Sequence, residues 1–275
     1  MGGKSKIEKD LIMNNEVELI EFRAGNKKEI RQSLANYCQV SIQEIEKDNI
    51  QEIYDRYCVH PYAGISNALW KKFNPQKQRE IPLTFKVYRY HKTGTNGKKE
   101  WFLEGLLGQD RGIRNYIKNL YKFYNIDLFK FEERLIYESA KKNELDDDDG
   151  PYAFMAYKYA KDHSGFNTAE VLEDVLCDEM VKLRCLAEER LLPTVLIFWV
   201  DLPIEQLDKY LLYYCKMFLG LDCACASVAI NKDIPFNNIE SIKILPKDKK
   251  DILPISNTNE LSGTHVFSRT MLKRD

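Results

Sequence analysis

Pro82–Lys92 (PLTFKVYRYHK), the turn-forming run Thr93–Gly97 (TGTNG) and Glu100–Leu107 (EWFLEGLL) decide how this chain is read. The first segment alternates apolar and polar residues with a period of two, the pattern of a half-buried strand. Asn-Gly is the strongest short-range signal for a tight hairpin turn, because both central residues take positive φ. Together these predict a β-hairpin over 81–107. With Asn96-Gly97 as the turn, Lys92 faces Trp101, Tyr90 faces Leu103, Arg89 faces Glu104 and Val87 faces Leu106. Side chains alternate faces along a strand, so Leu83, Phe85, Val87, Phe102 and Leu106 are expected on the core side. Lys86, Tyr88, Tyr90, Lys92, Trp101 and Leu103 fall on the other side, as a basic, aromatic platform.

Such a platform is the chemistry that holds single-stranded nucleic acid, with rings under the bases and cations on the phosphates. The helix expected next extends it. Asp110 is its expected cap, and Ile113, Tyr116, Ile117, Leu120, Tyr121 and Tyr124 make an apolar stripe at helical spacing. Arg111, Arg114, Asn115, Lys118 and Lys122 lie off that stripe. The competing reading is that the ring-bearing face packs inside the protein, with lysine stems along its rim.

Charge distribution supports a polarised surface. The chain of 275 residues has a net charge of −1, so bulk basicity does not advertise a polyanion partner. Residues 79–122 nevertheless carry ten Lys or Arg against four Asp or Glu, and 132–190 carry sixteen acids against eight bases. Local asymmetry of this kind builds fields of opposite sign, or lets the two segments pair with each other.

Around this centre the chain reads as a mixed α/β or α+β protein. Glu16–Arg23 is expected as a first strand. Lys27–Cys38, Ile42–Cys58 and Ala63–Phe73 have helical spacing and make a helical N-terminal section. Leu128–Lys142 is a further amphipathic segment, and Thr168 opens another helix. Thr194–Val200 (TVLIFWV) is continuously apolar, as a strand buried on both faces would be. With the helix over 204–219 and strands over 224–230 and 239–245, it predicts a C-terminal strand–helix–strand crossover unit. A single compact domain over 1–275 is favoured. The acidic run at 143–151 is a candidate hinge or linker, and the alternative is two units, 1–142 and 152–275.

Other constellations give alternatives of a different class. Asp201, expected just past the buried strand's carboxyl end, stands where open α/β folds place ligands. Joined by Glu170, Asp174 or Asp178, it would make a metal-dependent hydrolase or phosphotransferase using a divalent ion as cofactor. Cys58, His60, Cys223 and Cys225 lack the usual zinc spacing. Glycine phosphate loops, GxSxG and HExxH are missing from the sequence. Ile20–Ala24 (IEFRA) resembles the arginine-bearing first strand of ADP-ribosylating toxins, but the Glu-x-Glu pair of such enzymes has no counterpart after Ser227, and no family is assigned. A non-catalytic subunit that meets a protein partner through its aromatic face is the third class.

Seven cysteines without regular spacing suggest a reducing, cytoplasmic setting. The longest apolar run, Leu191–Val200, falls short of the roughly 20 residues of a membrane span. The opening Met-Gly-Gly-Lys-Ser-Lys lacks the Ser or Thr at position six that a myristoylation signal wants. The leading expectation is a cytosolic nucleic-acid-binding protein of a processing or defence system.

Overall fold

The computed structural model describes residues 19–58, 64–78, 82–146, 151–163, 172, 177–221, 227–229 and 232–247. Helices and strands are mixed, as the sequence predicts. The helical N-terminal section comprises α1 (Lys27–Cys38), α2 (Lys47–Tyr57) and α3 (Ile65–Phe73). The α1 start is a variant of the capping box in which the acid reaches the residue before the N-cap. Asn26 accepts from the Glu29 amide at 3.0 Å, while the Glu29 carboxylate accepts from the Gly25 amide at 2.9 Å. Strand β1 is Glu21–Phe22; residues 16–18 of the expected first strand lie outside the described residues.

The central strand is β2 (Thr84–Thr95), and its partner is not the segment that follows it. It runs antiparallel to β4 (Leu192–Pro203) through twelve facing pairs, among them Tyr88–Trp199, Arg89–Phe198, Tyr90–Ile197 and Lys92–Val195. The hairpin at 81–107 is therefore corrected. Gly97 does take φ +75°, but Lys99–Phe102 is a 3-10 turn rather than a returning strand. The physical reason is the quality of the competing partner. Strand β4, apolar through most of its length, offers twelve cross-strand pairs, each worth about 0.2–1 kcal/mol, and covers one whole edge of β2. The shorter EWFLEGLL segment, with eight residues, offers at most eight such pairs and carries Glu104 and Gly105 in its middle. Glu104 instead pairs with Lys118 at 2.5 Å, so the predicted Arg89–Glu104 pair does not form. Leu83, expected in the core, is 87% exposed, whereas Phe85, Val87, Phe102 and Leu106 are buried.

The sheet order is β5–β3–β2–β4–β6, with β3 at Tyr152–Phe154, β5 at Ser227–Ala229 and β6 at Ile239–Ile244. Strand β1 pairs in parallel with Lys86 and Val87, while β3 pairs with Tyr90. The two short strands thus share one edge of β2, end to end. The C-terminal strands flank the sheet on opposite sides: β6 pairs antiparallel with β4, and β5 antiparallel with β3. This corrects the crossover unit, since β4, the helix and β5 do not form a parallel pair. The strand buried over 194–200 is as expected, and β4 extends it at both ends.

Helix α8 (Leu207–Leu219) lies over the face of the sheet that carries Phe85, Val87 and Arg89. Phe22 meets Tyr214 at 4.9 Å and Phe85 meets Tyr210 at 5.6 Å between ring centres. At its start, Asp208 accepts from the amides of Gly64 and Ser66, so α8 caps α3 in trans. The other face receives α6 (Tyr157–Asp162), with Tyr157 edge-on to Tyr90. Outside the sheet stand α4 (Gln109–Tyr124), α5 (Glu132–Asp146) and α7 (Asp178–Arg190), α4 and α5 packing on each other. Gly108, not Asp110, occupies the N-cap position of α4, and Asp110 sits in its first turn. Among the described residues no helix is long and apolar enough to cross a membrane.

Candidate nucleic-acid interface

Lys86, Tyr88, Tyr90 and Lys92 do share one face of β2, but that face is not an open platform. Tyr88 is 5% exposed, Tyr90 2% and Trp101 3%. Tyr90 is held inside by the Ala24 amide, which donates to its hydroxyl at 3.2 Å; burial raises its pKa well above the ordinary phenol value. Trp101 lies on the 3-10 turn, away from β2. It stacks on Phe123 at 5.6 Å, meets Tyr116 edge-on, and its carbonyl accepts from Asn119 at 2.8 Å. These three rings therefore cannot stack bases without unfolding what covers them, and the platform is corrected.

The ring that faces Tyr88 is Trp199, which sequence reading missed because TVLIFWV reads as uniformly apolar. Both rings are already covered by the chain's own cations. The Arg23 guanidinium sits 3.5 Å from the Tyr88 ring centre, and Lys86 Nζ lies 5.2 Å from that of Trp199. Those cations pair in turn with Glu240 at 2.8 Å and Glu21 at 3.1 Å. Lys92 Nζ donates to the His163 carbonyl. The β2 face satisfies itself.

Helix α4 is arranged differently. At 3.6 residues per turn, Arg111, Arg114, Asn115, Lys118, Tyr121 and Lys122 fall within one arc of about 120°. Arg111, Arg114, Lys118, Tyr121 and Lys122 are exposed and Asn115 is half-buried, while Ile113, Tyr116, Ile117 and Leu120 are buried on the opposite side. Tyr121, expected in the apolar stripe, is 49% exposed, and it meets Phe129, 46% exposed, at 5.5 Å and 64°. The signal that could have found this pair is its position: Tyr121 stands at the border of the stripe, and Phe129 stands between Leu128 and Lys130, where the chain passes from buried to exposed residues.

Beside the cations lies a groove of about 530 Å³, floored by Leu107, Ile234 and Pro235. Its floor depends on Gly105, at φ +92°, where a Cβ would meet the Ile234 carbonyl oxygen at 2.3 Å. Only glycine lets Leu106 bridge to Ile234 there. Three rim cations have carboxylate partners: Arg111 with Asp233, Arg114 with Glu132, and Lys118 with Glu104. Lys122 extends over the Phe123 ring at 4.9 Å and has no carboxylate partner among the described residues.

Asp201 lies inside β4, facing Lys86, rather than beyond the strand's end. Its carbonyl accepts from Lys232 at 3.3 Å. Of its suggested partners Asp178 is described, in the first turn of α7, while Glu170 and Asp174 lie outside the described residues, as do His60, Cys223 and Cys225. Among the described residues no group of three or more His, Cys, Asp or Glu side chains could hold a metal ion.

Comparison with protein-family models, with curated proteins and with solved structures finds no match to the chain.

Proposed function

We propose that the protein binds single-stranded nucleic acid along the exposed arc of α4, with phosphates on Arg111, Arg114, Lys118 and Lys122 and bases against the Tyr121–Phe129 pair. The observation that carries this reading is the coincidence of four cations and exposed Tyr121 on one helix face, with exposed Phe129 against Tyr121 and a groove alongside. Cations give sequence-independent affinity and rings give the preference for unpaired bases. The carboxylates on Arg111, Arg114 and Lys118 do not oppose it. Exposed ion pairs are worth about 0.2–1 kcal/mol, which a phosphate making charge-assisted hydrogen bonds replaces.

Fluorescence anisotropy with labelled single-stranded RNA and DNA tests the proposal. The wild type is expected to bind at low salt, with a logarithmic salt slope that loses about 0.7 per cation removed. Lys118→Glu with Lys122→Glu is expected to weaken binding more than tenfold, and Tyr121→Ala by roughly five- to a hundredfold. Glu132→Gln, which frees Arg114, is expected to tighten binding about two- to fivefold. Lys86→Ala is expected to change nothing. No binding at micromolar protein, or a double mutant that binds as the wild type does, rejects the reading.

A further inference from the structure

Arg89 is buried in the middle of the molecule, 1% exposed, between β2 and α8. Its guanidinium donates to the Met155 sulfur and to the Tyr210 hydroxyl, and lies 5.0 Å from the Tyr210 ring centre. Among the described residues no carboxylate pairs with it; the ionisable groups acting on it are the phenols of Tyr210, Tyr214 and Tyr213. Two donors of this cluster, Arg89 Nε and the Tyr214 hydroxyl, have no acceptor among the described residues, and both atoms are sealed from solvent.

A buried charge needs a counter-charge. Arginine does not escape by losing its proton, because even a lowered guanidinium pKa leaves it charged at neutral pH. Phenolate formation is closed as well, since burial raises the pKa of both Tyr210 and Tyr214. Water would satisfy the two donors but would not balance the charge. Nothing among the described residues supplies that charge, so the cluster is suited to an anion from solution, which with both donors fully enclosed must be small and readily stripped of its water. We propose that Arg89 and Tyr214 hold a halide-sized monoanion, chloride under ordinary conditions, with Nε–H and O–H as its donors. This site is independent of the α4 surface.

The full chain is melted in sodium chloride, sodium bromide and sodium gluconate at equal ionic strength. Chloride and bromide at ten times the dissociation constant are expected to raise Tm by about 3–5 °C over gluconate. Arg89→Met, which removes the charge and keeps the volume, is expected to abolish the difference between the salts. If that variant does not fold, Tyr214→Phe replaces it and is expected to shrink the halide effect at least threefold. Crystals of the wild type soaked in bromide are expected to show an anomalous peak between Arg89 Nε and the Tyr214 hydroxyl. Superimposable melting curves in the three salts, a halide effect that survives in the variants, or a soaked crystal with no peak at that position overturns the proposal.

Discussion

The β2 face and the α4 face carry the same ingredients, lysine or arginine interleaved with aromatic rings, and the fold treats them in opposite ways. On β2 the tyrosines are taken inside or covered by the chain's own cations, and their charges are consumed by Glu21, Glu240 and a backbone carbonyl. On α4 the rings and the cations stay in water, beside a groove. A local pattern states which residues share a face. Whether that face is covered is decided by segments far away in sequence, here β1, α6 and β4.

The largest expected effect separates a buried ring from an exposed one. Trp101→Ala removes the stack on Phe123 and should lower stability by about 3–5 kcal/mol in urea unfolding. Tyr121→Ala should stay within about 0.5 kcal/mol, its cost appearing in binding instead. If the two variants unfold at the same urea concentration, the contrast between the faces is lost.

A smaller effect sharpens the β2 side. His91 is half-buried and its Nδ1 lies 2.6 Å from the Tyr152 carbonyl oxygen, an acceptor, so the ring is placed as a donor there. Burial lowers its pKa, and the bond to Tyr152 opposes that shift only in part. Below the ordinary histidine value the unfolded chain then takes up a proton that the folded chain refuses. This share of stability is therefore complete above about pH 6.5 and is lost as pH falls through the range below it, with a slope of at most about 1.4 kcal/mol per pH unit. Tm measured from pH 7.5 to 5 should fall less steeply in His91→Gln than in the wild type, and parallel curves would remove His91 from the account.

The smallest effect concerns Glu104. Its partner is Lys118 on the surface rather than Arg89 in a ladder. Glu104→Ala and Glu100→Ala should therefore melt within about 0.5 kcal/mol of each other. A markedly less stable Glu104→Ala would restore the hairpin register and undo the comparison.

The legible parts of this fold are those set by local periodicity. The Lys27–Cys38 helix is found at its true bounds, and the apolar run at 194–200 is found as a buried strand, because each pattern has few alternatives. The cationic positions of α4 were legible for the same reason, since helical spacing alone puts 111, 114, 118 and 122 together. Strand pairing was not legible. Asn96-Gly97 is a true turn signal, and Gly97 obeys it, yet the turn leads into a 3-10 segment in which Trp101 and Phe102 are both buried, whereas adjacent residues of a strand point to opposite faces. The guanidinium of Arg89 could not be placed from sequence either. A charged residue at a core-side position is expected to bring a partner, and the predicted one, Glu104, is elsewhere.

The long β2–β4 ladder has a consequence for how the chain is made. The hydroxyls of Thr95 and Thr194, which touch across it, are 99 residues apart in sequence. At about 5–20 residues per second of synthesis, β2 leaves the ribosome roughly 5–20 s before β4 exists to receive it. For that interval it is a strand bearing Phe85, Val87, Tyr88 and Tyr90, with the edge that β4 will take open to any neighbour. Lys86, Arg89 and Lys92, spaced three residues apart along it, are the charges that keep such an edge from pairing with strangers. The same arginine that is costly to enclose in the finished protein guards the strand while it is unfinished.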